Sequence, residues 1–219
     1  TELVSADFPI HRLSAEEVRG LAGFDFHRGY LASADRKPIH LASEMASDPI
    51  SLALVESTDM ENMGSMIRSA AAFGIRQIVL DARSVDPLSR RVIRVSMGAA
   101  LGMNFYQLSD VARGFSELRG RGFTVLASTL SDDSVDLQEV PRSQAPTVLV
   151  MGNEARGLPI DVQASASHRV RIPMGTNSPR SDPEDFCGDS ANNRWIVDSL
   201  NVSVAAGILM HGLVNRRPD

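Results

Sequence analysis

The sequence predicts an α/β fold: a mostly parallel sheet with helices on both faces. Three observations carry that expectation. Strand candidates recur at Ile50–Val55, an apolar run, and at Gln77–Leu80, Asn104–Leu108, Phe123–Ser128, Thr147–Met151 and Val170–Pro173. Segments with helical spacing fall between them, which is the alternation expected of such a sheet. The 219 residues are 43% hydrophobic and 22% charged, a normal globular mix.

Each element follows from local chemistry. Residues 1–48 read as a helical and irregular leader, and 49–219 as the main domain. In the leader, Ser14-Ala15-Glu16-Glu17 is a capping box, so a short helix should follow and stop near Gly20 or Gly23. Over Asn62–Phe73, Met63, Met66, Ile67, Ala70 and Ala71 repeat at helical spacing, and Gly74 stops the helix. A helix is expected over Arg90–Leu101, and another over Asp110–Leu118 with Asp110 as its cap. Ser199–Leu213 is the longest, capped by Ser199 or Asp198, with Leu200, Val204, Ile208 and Leu209 on one face. The polar segment 175–198, with Pro179 and Pro183, reads as a long loop.

Composition excludes several classes. No run reaches 18 apolar residues, so no membrane-spanning helix is expected. The chain begins at Thr1 with no basic or apolar leader, as a processed chain or a fragment does. A single cysteine, Cys187, excludes an internal disulfide and a cysteine-based zinc site, and fits a reducing, cytoplasmic setting. The five histidines are scattered, and Asp132, Asp133 and Asp136 read as a solvated turn, so no metal site is expected. The net charge is −5, which on its face speaks against nucleic acid. Yet Lys37 is the only lysine among 22 basic residues. Arginine suits bidentate phosphate contacts, although a codon bias gives the same preference.

In parallel sheets ligands sit beyond the carboxyl ends of the strands. Three loops expected there are unusual. The first, Glu56–Arg68, carries Asn62 and Arg68 six residues apart, so not on one helical stripe; Gly64 allows close backbone approach to a ligand. The second, Met151–Leu158, sets Asn153 and Glu154 between Gly152 and Gly157; it matches neither a phosphate-binding nor a dinucleotide-binding loop. A carboxylate in such a turn holds a hydroxyl, an amine or a cation. The third, Ser199–Gly207, places Asn201 in the first turn of the last helix, ahead of the small residues Ala205, Ala206 and Gly207.

Together these loops resemble the three motifs of the SpoU (TrmH-like) branch of the SPOUT RNA methyltransferases. The first appears as Asn62-x-Gly64-x-x-Ile67-Arg68, followed by Ala70-Ala71-Ala72-Phe73-Gly74. The second is Gly152-Asn153-Glu154-x-x-Gly157-Leu158. The third is Ile172-Pro173-Met174, then Ser199-Leu200-Asn201-Val202-Ser203-Val204-Ala205. The resemblance covers roughly residues 50–215, with the motifs in order. It implies a deep C-terminal trefoil knot, a known exception to the rule against knots. It also implies S-adenosylmethionine held near Gly152, Asn153, Ile172, Met174, Leu200 and Thr129, with no metal. The implied reaction is methyl transfer to a ribose 2′-hydroxyl of tRNA or rRNA. Arg68, Glu154 and Asn201 would stand at its centre, with Asn62 and Ser199 supporting. A homodimer is implied, the arginine of one subunit facing the cofactor of the other. Arg68, Arg90, Arg91 and Arg94, joined by Arg83, Arg156 and Arg180, would form a basic cleft for RNA on an otherwise acidic surface.

Two departures accompany the resemblance. The 24 residues 175–198 stand between Met174 and Ser199 where the family has a handful; a substrate lid, a dimer contact or a tolerated surface loop would each fit. His27-Arg28-Gly29-Tyr30-Leu31-Ala32 resembles the linker after an N-terminal RNA-binding domain, of which the leader would be the remnant. The alternatives are a non-catalytic RNA-binding knotted dimer of the same fold and an α/β enzyme acting on a small molecule. The presence of Asn62, Arg68, Glu154 and Asn201 together argues against a non-catalytic member.

Overall fold

The computed structural model describes residues 9–23, 29–174 and 199–216. It divides into two units, 1–36 and 37–219. The first holds α1 (Ala15–Ala22), started by the capping box read from the sequence. The Ser14 side chain accepts from the Glu17 N–H, and the Glu17 carboxylate accepts from the Ser14 N–H. That backbone N–H, aided by the Ser14 hydroxyl, holds the Glu17 carboxyl below its ordinary range. Of the two candidate stops, Gly23 ends the helix, at φ 70°.

The second unit is built on a sheet of eight strands. They are β1 (His40–Leu41), β2 (Ile50–Leu54), β3 (Gln77–Asp81), β4 (Asn104–Leu108), β5 (Thr124–Ser128), β6 (Val135–Asp136), β7 (Thr147–Met151) and β8 (His168–Arg171). Their order is β1-β4-β3-β2-β7-β5-β8-β6, and every pairing is parallel. The sheet therefore begins within the segment read as leader: His40 pairs with Tyr106, and Met45 is buried.

Strand alternation divides the core into two layers. Leu52, Leu54, Ile78, Leu80 and Leu149 face one side. There they meet α2 (Met60–Ala72), α3 (Arg90–Val95) and α6 (Val202–Arg216). Ala53, Val55, Val79, Val125, Val148 and Val150 face the other, against Phe115 and Leu118 of α4 (Val111–Gly120) and Val162 of α5 (Ile160–Ser165).

Several elements differ from expectation for identifiable reasons. The helix expected over 90–101 breaks after Val95, because Met97 and Gly98 both take positive φ; a 3-10 turn over Ala99–Gly102 follows. On α6 the buried stripe is Ala206, Leu209, Met210 and Leu213. Val204 and Ile208 lie on a different stripe, about half exposed, and Leu200 precedes the helix. Gly64 serves packing rather than a ligand: a Cβ there would meet Val95 Cβ at 2.6 Å and the Val92 carbonyl oxygen at 3.2 Å. That close approach sets the α2–α3 spacing and so fixes where the start of α2 sits. Gly64→Ala should therefore destabilise the fold by about 1–3 kcal/mol, an overpacking cost measurable by urea denaturation.

Candidate functional site

The sheet reverses its winding between β2 and β7, with β3 and β4 on one side and β5, β8 and β6 on the other. Ligands bind at such a switch point. A cavity of about 560 Å³ opens at the carboxyl ends there. It is lined by segments leaving three strands: Ser128–Ser131 after β5, Gly152–Leu158 after β7, and Arg171, Ile172 and Met174 at β8. Ser199, Leu200, Val202 and Ala205, at the start of α6, complete it. All six residues assigned above to the cofactor, Gly152, Asn153, Ile172, Met174, Leu200 and Thr129, line this cavity.

The wall at Gly152 is backbone packed against backbone. A Cβ there would lie 2.5 Å from the Gly157 carbonyl carbon and 2.6 Å from the Leu158 nitrogen, so only glycine fits without moving the loop. Asn153 is buried and pairs with Gly157 across the turn, each N–H donating to the other's carbonyl. Its Oδ1 accepts the Ala155 and Arg156 N–H groups, and its Nδ2 donates to the Glu56 carbonyl at 2.8 Å. Asn153 thus shapes its own loop and ties it to the loop after β2.

Three of the expected catalytic side chains converge. Asn201 Nδ2 donates to Asn62 Oδ1 at 3.1 Å, and Asn62 Nδ2 donates to Glu154 Oε1 at 3.3 Å. Each comes from a different loop, 62 from α2, 154 from the β7–α5 turn and 201 from the start of α6. Asn201 itself caps α6, its Oδ1 accepting the Ser203 N–H, in place of the expected Ser199 cap; Asp198 lies outside the described residues. Ser199 stays at the cavity edge, exposed.

Arg68 does not join this cluster. It is exposed on α2, is absent from the cavity wall, and makes no hydrogen bond or ion pair to a described residue. Six residues advance a helix by about 9 Å and well off the Asn62 face, so one chain places them apart. Of the expected RNA contacts, Arg91 pairs with Glu61, and Arg90 and Arg94 are exposed on α3. Arg180 lies outside the described residues.

Gln163, Ser131 and Glu56 were not anticipated. Thr129 Oγ1 donates to Gln163 Oε1 at 3.2 Å, and Gln163 Nε2 donates to the Leu158 carbonyl at 2.7 Å, bracing the pocket from α5. Ser131 Oγ is buried with no partner among the described residues. The Glu56 carboxylate, off the cavity wall, is buried and paired with Arg83 and with Arg156, which does line the cavity. Nothing in the residue types announces these positions, because long-range packing sets them. Asp133 pairs with Arg169 and Asp136 caps a 3-10 turn, which accounts for two of the three clustered aspartates. Among the described residues no three His, Cys, Asp or Glu side chains group as for a metal.

The model of the SpoU rRNA Methylase family matches residues 49–181. The chain belongs to that family. It is 30% identical over 213 residues to an uncharacterized tRNA/rRNA methyltransferase of Mycobacterium tuberculosis, covering 96% of this chain and 67% of the relative. It is 27% identical to a 23S rRNA (guanosine-2′-O-)-methyltransferase of Acinetobacter baylyi, covering 95% of this chain and 79% of that one. An AdoMet-bound rRNA methyltransferase from Sinorhizobium meliloti superposes with a TM-score of 0.66 at 27% identity over 84% of this chain. The chain spans 63% of the length of that structure.

The tie from Asn153 to the Glu56 carbonyl is the element on which the site's shape rests. Asn153→Ala should leave that buried carbonyl without its partner and cost about 1–3 kcal/mol of stability, seen as a lowered urea midpoint at unchanged slope.

Proposed function

We propose that this chain is an S-adenosylmethionine-dependent RNA methyltransferase acting on a ribose 2′-hydroxyl of tRNA or rRNA. The observation that carries the reading is the Asn62–Glu154–Asn201 cluster beside a switch-point cavity in a family of RNA methyltransferases. The 2′-hydroxyl as acceptor is supported by the Acinetobacter baylyi relative, whose name states that position. The Sinorhizobium meliloti neighbour, named as AdoMet-bound, supports the cofactor.

The cavity suits such a ligand. Its wall at Gly152 presents backbone groups with no intervening side chain. Ile172 and Leu200 offer apolar contact to an adenine face, and neighbouring backbone groups offer hydrogen bonds to its edge. When bound, S-adenosylmethionine supplies a methyl group already activated on a sulfonium, so positioning carries much of the rate.

The chain's own residues orient the acceptor. Asn201 holds Asn62, and Asn62 holds one oxygen of Glu154. The other Glu154 oxygen remains to accept the ribose hydroxyl proton, directly or through one water. A guanidinium is a poor base and a good cation, so Arg68 serves to lower the hydroxyl pKa or to fix an adjacent phosphate. Because Arg68 stands off from its own chain's cluster, it would serve the site of a second copy. The half-exposed Val204 and Ile208 of α6 are the surface we assign to that homodimer. The trefoil knot belongs to the same proposal, with α6 re-entering against α2 and β7 after 175–198.

Transfer of labelled methyl groups from S-adenosylmethionine to bulk tRNA or rRNA tests the reading, with nuclease digestion to locate the label. The expected product is a 2′-O-methylated nucleoside. Glu154→Gln should lower kcat by about 10²–10⁴-fold with little change in cofactor affinity. Label on a base, or no transfer to any RNA, would overturn the proposal.

A further inference from the structure

Glu56 is an anomaly at the mouth of the site. It lies two residues past the end of β2, at φ 52°, in the left-handed region that a glutamate rarely adopts. Its backbone is locked from both sides: its N–H donates to Asp81 Oδ1 at 3.0 Å, and its carbonyl accepts from Asn153. Its side chain is 9% exposed, so its charge demands partners. Two arrive, from two different loops: Arg83 through Nη1 to Oε1, and Arg156 through Nη2 to Oε2 at 3.2 Å.

The exposures are unequal. The two arginine side chains are 75% and 71% exposed while the carboxylate between them is buried. Glu56 and the Asp81 carboxylate at its backbone give the two guanidiniums two buried anions beneath them, while the guanidiniums themselves face solvent. Each guanidinium has five N–H donors in a fixed fork; Arg83 gives one in a hydrogen bond to Glu56, and Arg156 meets it as an ion pair. The rest point out from a base anchored to β2, β3 and the β7–α5 turn. The Arg156 backbone is itself held, its N–H donating to Asn153 Oδ1, and the residue lines the cavity.

We propose that Arg83 and Arg156, yoked by the buried carboxylate of Glu56, form a clamp for one backbone phosphate of the RNA. This rests on the RNA methyltransferase reading and names the substrate group that the cavity mouth grips. Paired forks of fixed geometry match phosphate oxygens better than mobile single charges do. Glu56 is the positioning residue: it touches no substrate but holds the two cations side by side against their mutual repulsion. The strained backbone at Glu56 is the cost of placing that carboxylate beneath both loops.

A phosphate clamp is blind to base sequence, so a labelled RNA hairpin of arbitrary sequence probes it. Binding is read by fluorescence anisotropy across a salt series, with calorimetric S-adenosylmethionine affinity and the melting temperature measured alongside. Arg83→Gln and Arg156→Gln, both at exposed side chains, should each weaken RNA binding about ten-fold at low salt. Each should also flatten the slope of log K against log salt by about 0.7–0.9, the signature of one lost phosphate contact. The double variant should lose little more than either single one, since both arms grip the same phosphate. Arg83→Gln should leave cofactor affinity unchanged, because Arg83 lies off the cavity wall. Glu56→Gln should also weaken RNA binding, although removing a negative charge would strengthen it on charge alone. Wild-type RNA affinity and slope in both arginine variants, or tighter binding by a folded Glu56→Gln protein, would overturn the clamp alone. Failure of the wild-type chain to bind RNA, with cofactor binding intact, would overturn the RNA reading and the clamp with it.

Discussion

The pairing of β2 with β7 is the constraint on which the rest of the molecule depends. Five registered residues hold them parallel, from Ile50 against Thr147 to Leu54 against Met151. The Val55 N–H continues the ladder to the Met151 carbonyl. Two chain segments nearly a hundred residues apart therefore leave the sheet side by side. The loop that carries Glu56 and Asn62 must run next to the one that carries Asn153 and Glu154. A register slip of one residue would exchange the two faces of the sheet and separate these loops. The Asn153 amide on the Glu56 carbonyl, and Arg156 on the Glu56 carboxylate, both depend on that adjacency.

Much of this was legible in the sequence because the central strands are short, mostly apolar segments. Ile50–Leu54, Gln77–Asp81 and Thr147–Met151 are buried at every position and read as nothing else. The two-residue strands β1 and β6 have no periodicity to detect. The six-residue α5, started by Pro159 without a side-chain cap, is too short to show a stripe. The break at Met97 was hidden because methionine does not announce a positive φ. The cap of α6 moved from Ser199 to Asn201 because Ser199 and Asn201 both suit a cap and only geometry chooses between them.

The candidate site divides in the same way. Motif order located the loops, and the fold brings Asn62, Glu154 and Asn201 into hydrogen-bonding reach. Arg68 stands off their face within one chain, as its six-residue offset from Asn62 implies. A glutamate just past a strand signals nothing in sequence; its two arginine partners come from other loops. Net charge misleads for a related reason: it sums over the whole surface, whereas binding answers to a local field. Arg91 is offset by Glu61 at the surface, while Arg83 and Arg156 are gathered on one buried carboxylate with their guanidiniums exposed.

The central claim is that the switch-point cavity holds S-adenosylmethionine against the backbone of the 152–158 loop. Isothermal titration of the folded chain and its Gly152→Ala variant tests it most directly. A Cβ at Gly152 must displace the Gly157–Leu158 backbone that walls the cavity. The account predicts saturable binding to the wild-type chain, weakened at least about ten-fold in a variant that remains folded. Equal affinity in the two proteins, or no binding by the wild type, would contradict it.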